Sequence, residues 1–405
     1  LTYKNIIVGL DIGTSKVCAV VGELRDINLS IIGVGTAQTK GIKKGVVVDI
    51  DSTVKSVREA VNKAGQMANI SIDGVYINYS GGQVSLKENR GVVAVSGENK
   101  EITPEDVERV IQASRVIAIP SGQEIIDIIP KEFIVDGFDG IKDPVGMVGI
   151  RLEVIAHIVT GSSTSVQNLV RSVERSNLDV YGIVLNSLAN AQVLLTEDEK
   201  ELGVAILDIG GGTTEISVFE SGNLIYSSLI PIGGQHITND IAVGLRIPFE
   251  QAEKIKREFG CASLSMAQDM KIQIVPIGSN TPKKITQKDL TEIIEPRVSE
   301  IFDLVAERLN KLGNAILLPA GVVLTGGGVS MLKGAKEIAS SVLNIPVRTG
   351  FPDYIGVNEP IYTAAVGLVE YVVANKAYTN YENRNKTQRI QSFLHRVKKW
   401  LKEYF

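Results

Sequence analysis

Two carboxylates stand at matched places in this chain, each followed by small residues. One begins Asp11-Ile12-Gly13-Thr14-Ser15-Lys16, the other Asp208-Ile209-Gly210-Gly211-Gly212-Thr213-Thr214. Each belongs to a copy of Leu-Asp-Ile-Gly, at 10–13 and 207–210. A turn of Gly and Thr leaves successive backbone N–H groups free to face phosphate oxygens, and Gly is needed where a side chain would block that approach. A carboxylate at the strand end can orient Mg²⁺ and its waters. Thr14, Ser15, Thr213 and Thr214 add hydroxyl donors, and Lys16 adds positive charge. One copy alone reads equally as an ordinary turn, since Asp and Gly favour turns. Two matched copies point to a metal–phosphate held from both sides, with Asp11 and Asp208 as the metal-side groups.

A third small-residue run follows an apolar strand: Leu324-Thr325-Gly326-Gly327-Gly328-Val329-Ser330, with Met331 next. Its backbone can pack against a nucleoside, with Gly326, Gly327, Gly328 and Met331 as the contacts. The chain lacks G-x-x-x-x-G-K-[ST] and any G-x-G-x-x-G that opens a helix after a strand, so the cradle is neither a P-loop nor a Rossmann turn.

The elements that must hold these turns can be read from periodicity. Apolar runs at 6–10, 17–21, 31–36, 46–49 and 75–79 predict strands, and Val54, Val57, Val61 and Ala64 give 53–68 one helical face. Residues 83–160 read as a small α/β insert. Its one clear helix has Thr103 as cap, Pro104 at the first helical position and acids in the first turn. Helix 164–176, strand 180–184 and helix 188–195 follow. The stretch 249–310 reads as polar and mostly helical with a loop-rich centre at 276–284. Strand 321–324 and helices at 333–342 and 361–373 complete the body.

The 405 residues suffice for two or more domains, and 44% hydrophobic residues can bury substantial cores. A net charge of −4 argues against bulk electrostatic binding to nucleic acid. The two cysteines, Cys18 and Cys261, indicate no disulfide framework. With no signal peptide or spanning stretch expected, the chain is placed in the cytosol.

The turns at 11–15 and 208–214 and the run at 325–328 resemble the phosphate-1, phosphate-2 and adenosine motifs of the actin, Hsp70 and sugar-kinase superfamily. Residues 252–257 resemble the helix that sets an acid and a base beside the adenosine. That likeness implies ribose or adenine contacts for Glu253, Lys256 and Arg257; the same spacing also makes charge pairs on a solvated helix face. Within the superfamily the chain is similar to the FtsA family of actin-like bacterial cell-division proteins. The motifs run in order along 5–370, and 197–207 and Ile294-Glu295-Pro296-Arg297 look like family signatures.

The resemblance implies an α/β, actin-like ATPase fold: two related α/β halves around a nucleotide cleft, an FtsA-type 1C insert and a C-terminal amphipathic helix. Subdomain 1A would comprise 1–82 and 161–200, 1C 83–160, 2A 201–244 and 315–374, and 2B 245–314. A flexible linker at 375–388 and a membrane-targeting helix at 389–405 would follow. ATP and Mg²⁺ are the implied cofactors. Ser187 falls where many relatives carry a Glu or Gln that positions the attacking water; it is no effective base, and Asn186 is a poor substitute. No catalytic residue is therefore assigned, Asp208 being the candidate for positioning water or metal. ATP binding with weak or absent turnover is expected. His157, His236 and His395 adjoin no phosphate turn.

Placed on a helix, Ile390, Phe393, Leu394, Val397, Trp400, Leu401, Tyr404 and Phe405 share one sector of roughly 140°. His395, Lys399 and Lys402 lie opposite, with Arg389, Arg396 and Lys398 near the boundaries. Such a face fits docking on its own domain or an anionic membrane surface; the preceding polar linker and the basic flank favour the membrane. Each basic residue near an anionic bilayer contributes about 1 kcal/mol, so one helix binds reversibly. A polymer of many copies gains avidity.

Three readings stand. The first is a polymerising adaptor, peripheral on the cytoplasmic face of the inner membrane at the division site. For it the resemblance implies the FtsZ C-terminal peptide as partner, with Arg297, Lys283 and Lys284 meeting acidic residues. Arg297 alternatively pairs with Glu295 or Glu300. Further partners would be other copies in a filament and later division proteins through the insert. The second is a PilM-like pilus-assembly adaptor. The third is a small-molecule kinase, which needs a base beside its substrate hydroxyl.

Overall fold

The computed structural model describes residues 5–375 except 26–27, 98, 280 and 314–316. The amphipathic segment 389–405 and residues 376–388 of the expected linker lie outside the described residues. Among the described residues no helix is long and apolar enough to cross a membrane.

The first sheet starts as a ribbon. Ile6–Ile12 pairs antiparallel with Lys16–Arg25, which pairs with Asn28–Gln38. Val17, Cys18, Ala19, Val20 and Val21 are all buried, a continuous run that marks a strand covered on both faces. Helix Ile50–Ala68 covers one face, burying Val54, Val57, Ala60, Val61 and Ala64 at helical spacing. Gly74–Tyr79 then runs parallel to Ile6–Ile12, and Asp179–Leu185 runs parallel to Gly74–Tyr79.

The second sheet repeats the plan. Val204–Ile209 pairs antiparallel with Thr214–Glu220, which pairs with Asn223–Ile230. Val322–Thr325 and Val347–Thr349 add parallel neighbours on the other side. Each sheet therefore carries one Asp-Ile-Gly turn between its first two strands.

Between Gly74–Tyr79 and Asp179–Leu185 of the first sheet, Ser85–Ala94, Arg151–Ser162, Gln123–Val135 and Phe138–Ile141 form a separate antiparallel sheet. Helix Pro104–Ser114 packs on it, closed at its start by a capping box between Thr103 and Asp106. Ile102, Val110, Phe133, Leu152, Val154 and Ala156 give the insert a core of its own.

Three expectations need correction. The strand expected at 46–49 is only Val46–Val47, because Asp49 caps the next helix by accepting from the Ser52 backbone N–H at 3.1 Å. The loop-rich centre of 249–310 is the tip of a hairpin, Lys271–Ile274 against Lys283–Thr286. The helix Thr363–Ala374, grouped by sequence with the second half, packs on the first sheet. Ala365, Val366, Val369 and Val372 share a core with Ile7, Val20 and Tyr76. A helix this uniformly apolar needs cover on more than one side, and it also meets Val184 and Ala189 through Leu368.

Candidate functional site

The two repeated turns are built alike. Gly13 N–H donates to the Lys16 carbonyl at 3.0 Å, and Gly210 N–H donates to the Thr213 carbonyl at 2.9 Å. The turns also touch each other. A Cβ at Gly211 would stand 1.6 Å from Ser15 Oγ and 2.8 Å from Ser15 Cβ. The glycine run docks behind the second turn, Gly328 N–H donating to the Ile209 carbonyl at 2.7 Å. Gly326 has φ +83° and lies so close to Asp208 that a Cβ would fall 2.3 Å from its Oδ1.

These pieces enclose a cavity of about 740 Å³. Asp11, Gly13, Thr14, Ser15, Lys16, Asp208, Gly210, Gly211, Thr213, Glu253, Lys256, Arg257, Gly326, Gly327, Gly328 and Met331 all line it. Two expected members do not. Thr214 is fully buried and donates its hydroxyl to the Ile232 carbonyl at 2.9 Å. Successive strand side chains point to opposite faces, so Thr213 and Thr214 cannot both reach one cavity. Gly212 packs on Thr14, its would-be Cβ 2.6 Å from Thr14 Cγ2. Lys16 is a lining residue, but its ammonium donates to the Ile361 carbonyl and lies 5.2 Å from the Tyr362 ring centroid.

Behind the turns, Asn78, Asn190 and Glu215, which the sequence did not flag, join the carboxylates together with Asn186 and Ser187, which it did. Asn78 accepts from Ile12 N–H at 3.2 Å and donates to Asp11 at 2.8 Å and to Asn186 Oδ1 at 3.0 Å. Asn186 donates to Asp208 at 3.1 Å and to Glu215 at 2.8 Å, while Asn190 donates to Asp208 at 2.9 Å. Ser187 donates to Glu215 at 2.6 Å. An acid, Glu215 of strand Thr214–Glu220, thus lies beside Ser187 although the sequence has none adjacent to it. The available signal was alternation: Glu215 and Ser217 share a face of Thr214–Glu220, and Ser217 donates to Ser187 at 2.7 Å.

Burial pushes the Asp11 carboxyl up, and the charge of Asp208 adds to the shift against Lys16 and Asn78. Burial likewise raises Glu215, reinforced by Asp208, although Ser187, Asn186 and Ser80 donate to it. Buried acids that repel one another favour a bound cation. Among the described residues no group of three or more His, Cys, Asp and Glu side chains forms a metal cage. Two carboxylates facing a roomy cavity suit Mg²⁺, which keeps waters and takes its other ligands from phosphate.

On the far side, helix Phe249–Phe259 brings Glu253 within 2.7 Å of Lys256 Nζ and 2.8 Å of Arg257 Nε. Burial works against the Glu253 charge, but Lys256, Thr238 and Arg257 hold its carboxyl down at about 2. The charge pairs form, with Lys256 buried, and the three residues line the cavity. Farther off, Arg297 makes a two-point pair with Asp240, at 2.6 and 3.2 Å, and also binds Glu300. Glu295 instead accepts from Leu264 N–H at 3.1 Å. Lys283 and Lys284 are exposed on the hairpin.

Residues 205–367 match the family described as "Cell division protein FtsA", and residues 81–160 match "SHS2 domain inserted in FTSA". The chain is 45% identical over 376 residues to the Cell division protein FtsA of Bacillus subtilis (strain 168), covering 93% of this chain and 85% of that protein. It is 37% identical over 423 residues to the Cell division protein FtsA of Escherichia coli (strain K12), covering 100% and 99%. Among solved structures, the PilM-PilN type IV pilus biogenesis complex aligns with TM-score 0.62 at 16% identity, over 90% of this chain and 98% of that one. MreB5 of Spiroplasma citri bound to ADP aligns with TM-score 0.58 at 16% identity, over 94% and 99%. At such identity these two likenesses speak for the fold alone.

Proposed function

The chain belongs to the FtsA family of cell division proteins, and from that premise we propose that it binds Mg-ATP between its two halves and polymerises in the closed form. Its tail then holds FtsZ filaments on the inner face of the cytoplasmic membrane. One observation carries the nucleotide part: two Asp-Ile-Gly turns of equal geometry meet in a single cavity, with Asp11 and Asp208 joined through Asn78 and Asn186. Asp11 and Asp208 hold Mg²⁺ through its waters, and the turn amides take the phosphates. Glu253, Lys256, Arg257, the 326–328 run and Met331 take the nucleoside. The solved MreB5 with ADP, of the same fold, supports a nucleotide as occupant.

ATP turnover is slow in this reading. The Ser187 hydroxyl is committed to Glu215, and the Glu215 carboxylate is itself 5% exposed and already holds three donors, which leaves it poorly placed as a base for water. The same fact disfavours the kinase reading. For the FtsZ peptide, the exposed Lys283 and Lys284 are the better acid-binding candidates in 2B, because Arg297 is already neutralised by Asp240 and Glu300. The 1C insert, folded on its own core, is the surface for later division proteins. The PilM-like alternative shares the fold but has no use for a basic amphipathic tail.

Flotation with anionic liposomes separates these readings. The full chain should float and a form ending at residue 378 should not, with ATP increasing the floating fraction through polymer avidity. Equal behaviour of the two forms would sink the membrane-adaptor reading. Sugar-dependent ADP release would favour a kinase.

A further inference from the structure

Opposite Asp208 in its strand pair stands Glu215, 5% exposed. All three of its donors come from outside its own sheet. Ser80 Oγ reaches Oε2 at 2.7 Å, Asn186 Nδ2 reaches Oε2 at 2.8 Å and Ser187 Oγ reaches Oε1 at 2.6 Å. Ser80 follows strand Gly74–Tyr79 of the first sheet, and Asn186 and Ser187 open helix Asn186–Leu194. A carboxylate held this way fixes its donors as firmly as they fix it.

The donor that matters is Asn186. A planar amide has two hydrogens and one oxygen in a rigid fork. One hydrogen points to Glu215 and the other to Asp208, and the oxygen accepts from Asn78. The other hydrogen of Asn78 lies on Asp11. Fixing the Asn186 fork at Glu215 therefore orients both aspartates, one directly and one through Asn78. Without Glu215 one hydrogen of the Asn186 amide loses its acceptor, and the fork is held only by Asp208 and the Asn78 NH₂.

We propose that Glu215 is a positioning residue for the metal of the cleft, acting through Asn186 and Asn78 on Asp208 and Asp11, and not on the nucleoside. This rests on the Mg-nucleotide reading above. A solely structural role would weaken every ligand alike, whereas positioning of the aspartates weakens only the metal-dependent part of binding.

The test is titration of the full chain with a fluorescent ATP analogue, once in excess Mg²⁺ and once in EDTA. Glu215→Ala should weaken binding in Mg²⁺ by about tenfold, as expected for losing an organised hydrogen bond to a charged group, and change binding in EDTA by less than about twofold. Asn186→Leu, which keeps the shape and removes the amide, should reproduce that selectivity even if Glu215→Ala folds poorly. Glu215→Gln, which retains the bulk and one acceptor, should fall between. Equal losses in both buffers, or none in Mg²⁺, would overturn the role given to Glu215 while leaving the nucleotide reading intact. A wild-type chain that binds the analogue in neither buffer would overturn the nucleotide reading, and this inference with it.

Discussion

Asp11 and Asp208 occupy the same register in their ribbons, yet Asp11 faces Cys18 and Asp208 faces Glu215. The backbone of the two turns is the same, including the Gly N–H bond to the carbonyl three residues on. The surroundings are not. Cys18 is fully buried, and burial pushes its thiol up to about 11, so it packs as an apolar group among Ile7, Val20 and Val369. Glu215 collects three donors from beyond its own sheet. Asp11 receives one amide, that of Asn78, while Asp208 receives two, those of Asn186 and Asn190. A duplicated turn thus has one copy set in apolar packing and the other set in a polar network. In the Mg-nucleotide reading proposed above, the second side would have the larger hold on the metal and the first the smaller.

That asymmetry can be broken first at the aspartates. Asp208→Ala leaves two amides facing an emptied site, and Asp11→Ala leaves one. Affinity for Mg-ATP should fall by about a hundredfold in the former and about tenfold in the latter, following the cost of lost hydrogen bonds to charged groups. Calorimetric titration of both variants gives the ratio; equal losses would mean that the two turns work symmetrically.

The contact between the turns offers a smaller effect. Gly211→Ala drives a methyl into Ser15 and should cost about 1–3 kcal/mol as an overpacked contact. Gly210→Ala, whose nearest neighbour would be the Thr213 carbonyl at 3.5 Å, should cost much less. Thermal melts distinguish the two, and adding Ser15→Gly to Gly211→Ala should recover most of the loss. Failure of that rescue would show that the turns do not bear on each other.

The smallest effect lies on the far side of the cavity, at Glu253. The Glu253 carboxyl sits at about 2, below its ordinary 4.5, once Lys256, Thr238 and Arg257 have outweighed burial. A depressed acid contributes stability above pH 4.5 that is lost as pH falls towards 2. Glu253→Gln should therefore lower the melting temperature near neutrality and flatten its decline across that window. A decline as steep as wild type would place the acid sensitivity elsewhere.

The turns, the helix cap at Thr103 and the insert were legible in the sequence because each is a local pattern. The capping box at Thr103 and Asp106 needs four consecutive residues, and the two Asp-Ile-Gly turns need six and seven. Glu215, Ser80 and Asn78 were hidden because Ser80 lies 135 residues from Glu215 and Asn78 lies 67 residues from Asp11. Nothing in a linear pattern marks two asparagines as neighbours of two aspartates when four different elements bring them together. Thr214 was readable in principle: strand alternation alone separates it from Thr213. The last helix was not, since an apolar run tells that it is covered but not by which sheet.

Hydrogen exchange of the backbone amides at 13–16 and 210–213, with and without Mg-ATP, tests the central claim most directly. If one Mg-nucleotide bridges the matched turns, both sets of amides slow together and half-maximally at the same ATP concentration. Protection of one turn alone, or of neither, would contradict a cleft closed from both sides.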